Sequence, residues 1–446
     1  MDRSVETAEH IVALPRKLEK ACLTVIGMLS ATILLKVAGI QYLEIIEILL
    51  FLYLLTRSAR TAWRIEMSRF LLRLGWKYAL FLAVAAIGVA LSFTRPTYLT
   101  TARIYGLGYI SISRATELVC GVTALITLAE VFRRDPRKCF FTMKVYFWTG
   151  TISGLVAIPQ AILAADHRGA GFFNEGGPYG LYMISVLLVG MALRAFAIGP
   201  GRTVLTAALV FDLVALTSAA SKAAFAAIAV LFIIQVAIAA GVKQRIVALG
   251  VMMLGVILVA SFTNVVKGTA TYLATSDSYV QLSQLRPTDY NLVVGRVAGL
   301  YFVPRMIAQH PWLGVGWGNY GLVRNAPEYR GDSVWVSVND LPSLGLYGLA
   351  AEIGIPLTLF LIYLLFLPAA AVRRLTTWRI VANLALLQPI VHLFGAQLNL
   401  TYPWIVSAFA LGIAGLQPPS RNRAVQPVPV PAESPSAGAL PLFKPS

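Results

Sequence analysis

Apolar stretches of about twenty residues recur along this chain, separated by short polar connections rich in Arg and Lys. They fall at 21–40, 41–56, 76–93, 112–132, 145–164, 179–199, 203–219, 222–241, 244–264, 346–370, 377–396 and 399–416. Runs of that length suit helices crossing a hydrocarbon core of roughly 30 Å, whereas barrel strands need only ~10 residues. The pattern predicts an all-α integral membrane protein, a polytopic bundle of about 12 transmembrane helices. A polar N-terminus (1–20) precedes nine spans (21–264), a long connection (265–345), three further spans (346–416) and a Pro-rich tail (417–446). The tail is short of large apolar residues and is expected to be disordered. The first apolar run lacks an obvious small-residue cleavage site and is expected to remain as an anchor.

Composition agrees, since 58% of the residues are hydrophobic and 13% charged, more apolar surface than a water-soluble domain covers. The formal charge of +17 is not gathered into a groove-sized basic patch with interleaved aromatics, so nucleic acid is not an expected partner. The bases punctuate the apolar runs, as topology requires. With the N-terminus in the cytoplasm, the inner connections hold Arg57, Arg60, Arg64, Arg69, Arg73, Arg133, Arg134, Arg137, Lys138, Arg194, Arg202, Lys243, Arg245, Arg373, Arg374 and Arg379, among others. The short outer connections hold Arg95, Arg103, Arg114, Arg168 and Lys222. Both termini are then cytoplasmic. Cys22, Cys120 and Cys139 show no CxxC spacing and no neighbouring His, so they read as packing residues, and neither a metal nor a cofactor is expected.

The 265–345 connection lies outside in this topology and is far longer than the usual link. Its bases, Lys267, Arg286, Arg296, Arg305, Arg324 and Arg330, are not needed for orientation, and binding an anion is the natural alternative. Within it, "GRVAGLYFVPRMIAQHP" has the apolar spacing of an amphipathic helix with a kink at Pro304. "GVGWGNY" reads as a Gly-rich turn.

Three outer-face elements carry candidate chemistry. In "AADHRGAGFFNEGGPYGLY", Asp166, His167, Arg168, Asn174 and Glu175 crowd a short Gly-rich loop. It reads either as a solvated turn or as an anion site, with Arg168 and backbone N–H groups as donors and Asp166, His167 or Glu175 as a base. In "LTSAASKAAFAA", Lys222 is either a snorkelling anchor or, among small residues that let helices approach, a cation pointing into a polar cavity. In the long connection, Arg296, Arg305, His310, Asn319 and Arg324 are candidates. Arg296 and Arg305 fall on roughly opposite faces of an unbroken helix, and His310 before Pro311 suits a helix end. Lys36, Glu44, Glu47, Glu117 and Asp212 stand inside spans, where charge is costly, and should face protein or water.

These motifs resemble the O-antigen ligase and polymerase family. "GRVAGLYFVPRMIAQHPWLGVGWGNY" is similar to its long-loop stretch of Arg, aromatic and small apolar residues followed by "hPlxGxGxgny". "LAAEIGIPLTLFLIYLLF" resembles its "laElGipGlllfl" helix, "SAASKAAFAA" its "SxSRgallal" hairpin, and "GFFNEGGPYGLYM" its "gxfxnpnxfaxyl" entry into a span. The resemblance runs from Gly150 to Leu416, in order. It implies a GT-C-like, metal-independent membrane glycosyltransferase of the bacterial inner membrane, with a periplasmic site and an undecaprenyl-diphosphate-linked oligosaccharide as donor. Arg296 matches the Arg that opens the long-loop helix, and Lys222 stands where the hairpin Arg usually does. Both would bind the donor diphosphate, with Arg168, Arg305, Arg324 and His310 as further substrate contacts. Its partners would include membrane lipid, a chain-length regulator and a flippase.

Two departures separate this chain from the family pattern. Lys222 keeps the charge of the usual Arg and loses its bidentate geometry. The ligases' His, usually in "HNxyL", is missing from "SVNDLPSLGLYGLAAEIG", where Asn339, Asp340 and Ser343 stand instead, leaving Asp340 as a replacement base. The expectation is therefore a repeat-unit polymerase of O-antigen or exopolysaccharide. A ligase, another carbohydrate-linked membrane transferase and a non-enzymatic lipid-linked-sugar flippase or transporter remain open.

Overall fold

A computed structural model describes residues 16–29, 69–93, 109–163, 168–173, 175–238, 278–336, 345–375, 379–395, 401–414 and 416. Every regular element among them is a helix. The bundle helices before the long connection are α1 (Arg16–Leu29), α2 (Arg69–Ser92), α3 (Tyr109–Arg134), α4 (Pro136–Leu163), α5 (Gly176–Ala195), α6 (Arg202–Ser218) and α7 (Lys222–Ile238). The connection itself folds into α8 (Tyr279–Leu285), α9 (Tyr290–Val293), α10 (Arg296–Gln309), α11 (Tyr320–Val323) and α12 (Pro327–Arg330). After it come α13 (Gly345–Ile353), α14 (Ile355–Leu375), α15 (Arg379–Gly395) and α16 (Tyr402–Ile413).

Among the described residues, five segments are long and apolar enough to cross a membrane: Arg69–Leu91, Arg114–Arg134, Pro136–Leu163, Gly176–Ala195 and Ile355–Leu375. Lys222–Ile234, Arg379–Phe394 and Tyr402–Ile413 are shorter apolar helices. The chain thus has the make-up of a helical membrane protein. The predicted spans 41–56 and 244–264, much of 21–40, and the tail lie outside the described residues.

α16 is the hub. It packs against α3, α4, α5, α14 and α15, and every residue from Tyr402 to Ile413 is buried, as expected of a helix apolar on all sides. Outer helices instead keep one apolar face exposed, as Leu72, Leu80, Ile87 and Leu91 do on α2. Of the charges predicted inside spans, Lys36, Glu44 and Glu47 lie outside the described residues, while Asp212 and Glu117 are bonded or paired. Asp212 is buried and accepts the Thr151 hydroxyl at 3.2 Å, and Arg114 pairs with Glu117 at 2.9 Å, one turn apart on α3. At the other end of α3, Glu130 is bracketed by Arg133 and Arg134 at 3.2 and 2.7 Å.

The apolar run from 346 is two helices instead of one. Gly354, at φ +81°, separates α13 from α14, and a Cβ there would strike the Trp312 carbonyl. The long connection is also more than a linker. Tyr279, Val297, Tyr301, Phe302, Met306, Tyr320, Val323 and Tyr329 form a second apolar core, to which α13 contributes Ala351. α10 continues through Pro304 and turns Val297, Ala298, Tyr301, Phe302 and Met306 inward, the amphipathic pattern its sequence predicts.

Candidate functional site

Two of the three candidate outer elements form one locked unit. The 168–173 loop leaves the end of α4 and is held by two α4 side chains. Gln160 Oε1 accepts the N–H groups of Ala170 and Gly171 at 3.1 and 2.8 Å, and Ser153 Oγ accepts that of Phe172 at 3.1 Å. The loop then joins the α6–α7 hairpin, since Gly169 donates to the Ser218 carbonyl at 2.9 Å. Ser221 Oγ donates to the Gly177 carbonyl at 3.2 Å and accepts the Ala224 N–H, capping α7.

Glycine is required for this approach. A Cβ on Gly176 would lie 2.6 Å from the Ala219 carbonyl oxygen, and one on Gly180 would lie 2.6 Å from Ser221 Cβ. The N-termini of α5 and α7 therefore meet side by side, with Lys222 the first residue of α7 and Arg168 Nε 3.5 Å from where a Gly176 Cβ would stand. Both cations are exposed. The space in front of Gly177 is open, with nothing within 4 Å of an added Cβ. Two helix N-termini thus meet, with an exposed cation on each of the two segments, a setting suited to phosphate oxygens. Glu175 occupies the N-cap position of α5, exposed and without a side-chain cap bond, where a carboxylate is favoured by the helix dipole. Asp166, His167 and Asn174 lie outside the described residues.

The third element is carried by other helices, because α10 packs on α8, α9, α12 and α13. Arg296 is exposed as the first residue of α10. Arg305, also exposed, donates from Nη1 to the Tyr301 carbonyl at 2.7 Å and stacks on that ring at 3.6 Å. His310 is the C-cap, its N–H reaching the Met306 carbonyl at 2.8 Å. Arg324 belongs to the interior of the loop: it is 0% exposed, donates from Nη1 to the Val293 carbonyl at 3.5 Å and lies over Phe302. Its placement suits bracing the second core. Asp340 lies outside the described residues. α13 and α15 bridge the two regions: α13 packs on α10 and α15, and α15 packs on α5 and α7.

Sequence reasoning passed over Glu352, the acid of "LAAEIG". It sits on α13, ahead of the span beginning at Ile355, and is buried. Oε1 accepts the Tyr320 N–H at 3.4 Å, and the Gly318 N–H also points at the carboxylate. Val315 and Gly316 donate to the Ala351 and Glu352 carbonyls at 2.9 Å each. Glu352 thus fastens the Gly-rich turn to α13. An ionisable residue interrupting an apolar run was the available signal.

Glu352→Ala should therefore loosen the turn: the amides of residues 314–322 should exchange hydrogen faster in the variant than in the unsubstituted chain at the same pH, and unchanged exchange rules the assignment out.

No protein-family model and no curated protein matches this chain.

Proposed function

We propose that the protein is a bacterial inner-membrane polysaccharide polymerase. It joins undecaprenyl-diphosphate-linked oligosaccharide repeat units into exopolysaccharide or O-antigen at the periplasmic face. The observation that carries this reading is the meeting of the α5 and α7 N-termini, with Arg168 and Lys222 exposed on the segments that meet and open space at Gly177. The motif resemblance adds the lipid-linked donor. On this reading about 12 spans form a GT-C-like bundle, both termini are cytoplasmic, and the exposed Arg296 supplies a further donor contact.

In the reaction, an acceptor sugar hydroxyl attacks the anomeric carbon of the donor. The C–O bond to the diphosphate breaks with its electron pair leaving on the phosphate oxygen, and the hydroxyl proton passes to a base. A diphosphate leaving group needs charge stabilisation more than protonation, and Lys222, Arg168 and the helix N-termini suit that task. Glu175 is the described candidate for the base, with Asp166 and Asp340 as further ones.

Deleting the gene in its own host and sizing the lipid-linked and extracellular glycans tests the reading. Single repeat units should accumulate on the carrier while high-molecular-weight polymer disappears. Full-length polymer retained on its carrier points to a ligase instead, and an unchanged glycan profile removes the polysaccharide assignment.

A further inference from the structure

The Gly-rich turn of the long connection sits lower than a connection between spans needs to. Two helices measure its depth. The Leu313 carbonyl oxygen lies 3.4 Å from where a Cβ on Gly88 would stand, four residues inside the end of α2, or about 6 Å along the axis. The Trp317 ring meets Phe81 edge-on at 5.9 Å, and Phe81 meets Phe360, five residues into α14, at 6.4 Å. That level is about 7.5 Å below the start of α14. On the other side, Ser111 near the start of α3 donates its hydroxyl to the Trp317 carbonyl.

Irregular backbone is tolerated at membrane depth only when enclosed by protein and hydrogen-bonded. Residues 314–326 are all buried. Their leading N–H groups are accounted for: Gly314 donates to His310, Val315 to Ala351, Gly316 to Glu352 and Asn319 to Gly316. Ahead of them Pro311 and Leu313 are half-buried, and Trp312 is 72% exposed. Its carbonyl abuts Gly354, and the preceding Pro311 carbonyl accepts the N–H of Ile355, the first residue of the α14 span, at 2.8 Å. Exposed Ile355, Leu359, Tyr363 and Phe366 continue down α14, and Ile87 and Leu91 flank the site on α2. Trp312 stands at the head of these lipid-facing stripes, and an indole there suits the boundary between headgroups and acyl chains.

We infer that Pro311–Asn319 is a re-entrant turn seated in the leaflet on the long-connection side, with Trp312 against lipid. The partner of this surface is the bilayer itself. The turn anchors the C-terminal end of α10 at the membrane surface, independently of any catalytic role.

The test is a nitroxide on Trp312→Cys in the full chain, reconstituted in liposomes, with relaxation by oxygen compared with relaxation by a water-soluble nickel chelate. Leu359→Cys on the exposed face of α14 and Glu328→Cys on the exposed side of the connection serve as lipid and water references. The unsubstituted chain supplies the background from Cys22, Cys120 and Cys139. Oxygen should dominate at 312, with a ratio several-fold above that at 328; nickel dominance matching Glu328→Cys overturns the inference. Should the cysteine variant not assemble, fluorescence quenching by lipids brominated near the headgroup decides between the same outcomes. Trp312→Phe should remove a quenched component if the turn is re-entrant, and should leave quenching unchanged if it is not.

Discussion

Alanine at Lys222, or at Arg168, is expected to cut polymer synthesis in host membranes by roughly 10- to 100-fold while leaving protein level and thermal stability unchanged. The magnitude follows from losing one charge-assisted contact to a developing diphosphate, about 1.5–3 kcal/mol, at about 1.4 kcal/mol per tenfold in rate. Stability should hold because the unit both residues stand on is fastened by Gln160, Ser153 and Ser221. Arg296→Ala should give a similar loss with the protein level unchanged. Lys222→Arg should retain most activity, since it keeps the charge and adds a fork suited to phosphate. The double variant should lose less than the product of the single losses, because both cations would serve one anion. Sizing of lipid-linked and extracellular glycans reads all of these, and normal polymer from Lys222→Ala, Arg168→Ala and Arg296→Ala would remove the diphosphate assignment.

The second large effect is on folding. Gly314→Ala and Gly354→Ala should each destabilise the protein by about 2–5 kcal/mol, summing a left-handed backbone cost of about 1–2 kcal/mol and an overpacking cost of about 1–3 kcal/mol. Gly314 stands at φ +65° against the Glu352 carbonyl, and Gly354 at φ +81° against the Trp312 carbonyl. Both obstacles are backbone, so no side chain can move aside. The result should be lower melting temperature in detergent and reduced protein in the membrane. Gly177→Ala is the control: it is helical and has open space at its Cβ, so its melting temperature should hold or rise. Equal losses at all three positions would mean that the interlock of the turn with α13 contributes nothing particular.

The polar unit at Gln160, Ser153 and Ser218 shows why local reading stops short of a site. Its glycines, Arg168 and Lys222 were legible as candidates, each from its own stretch of sequence. That Gln160 Oε1 holds the loop, and that the loop docks on a hairpin nearly fifty residues downstream, depends on contacts between helices that no spacing records. Arg324 illustrates the converse. A base in the long connection reads as a candidate anion contact, and its enclosure by the second core around Phe302 and Tyr320 shows only in the structure. Glu352 stayed hidden because its neighbours are apolar and its partners are N–H groups more than thirty residues upstream.

Sequence by itself determined the helical membrane character, since runs of apolar residues near 20 in length leave few other ways to satisfy the backbone in hydrocarbon. It also determined the amphipathic face of α10, because a 3.6-residue period is a local property. Tertiary structure decided the break at Gly354, the burial of Arg324, the fastening of the Gly-rich turn by Glu352 and the meeting of the α5 and α7 N-termini. Each of these depends on how closely two backbones distant in sequence approach, and that distance is set by packing across the bundle.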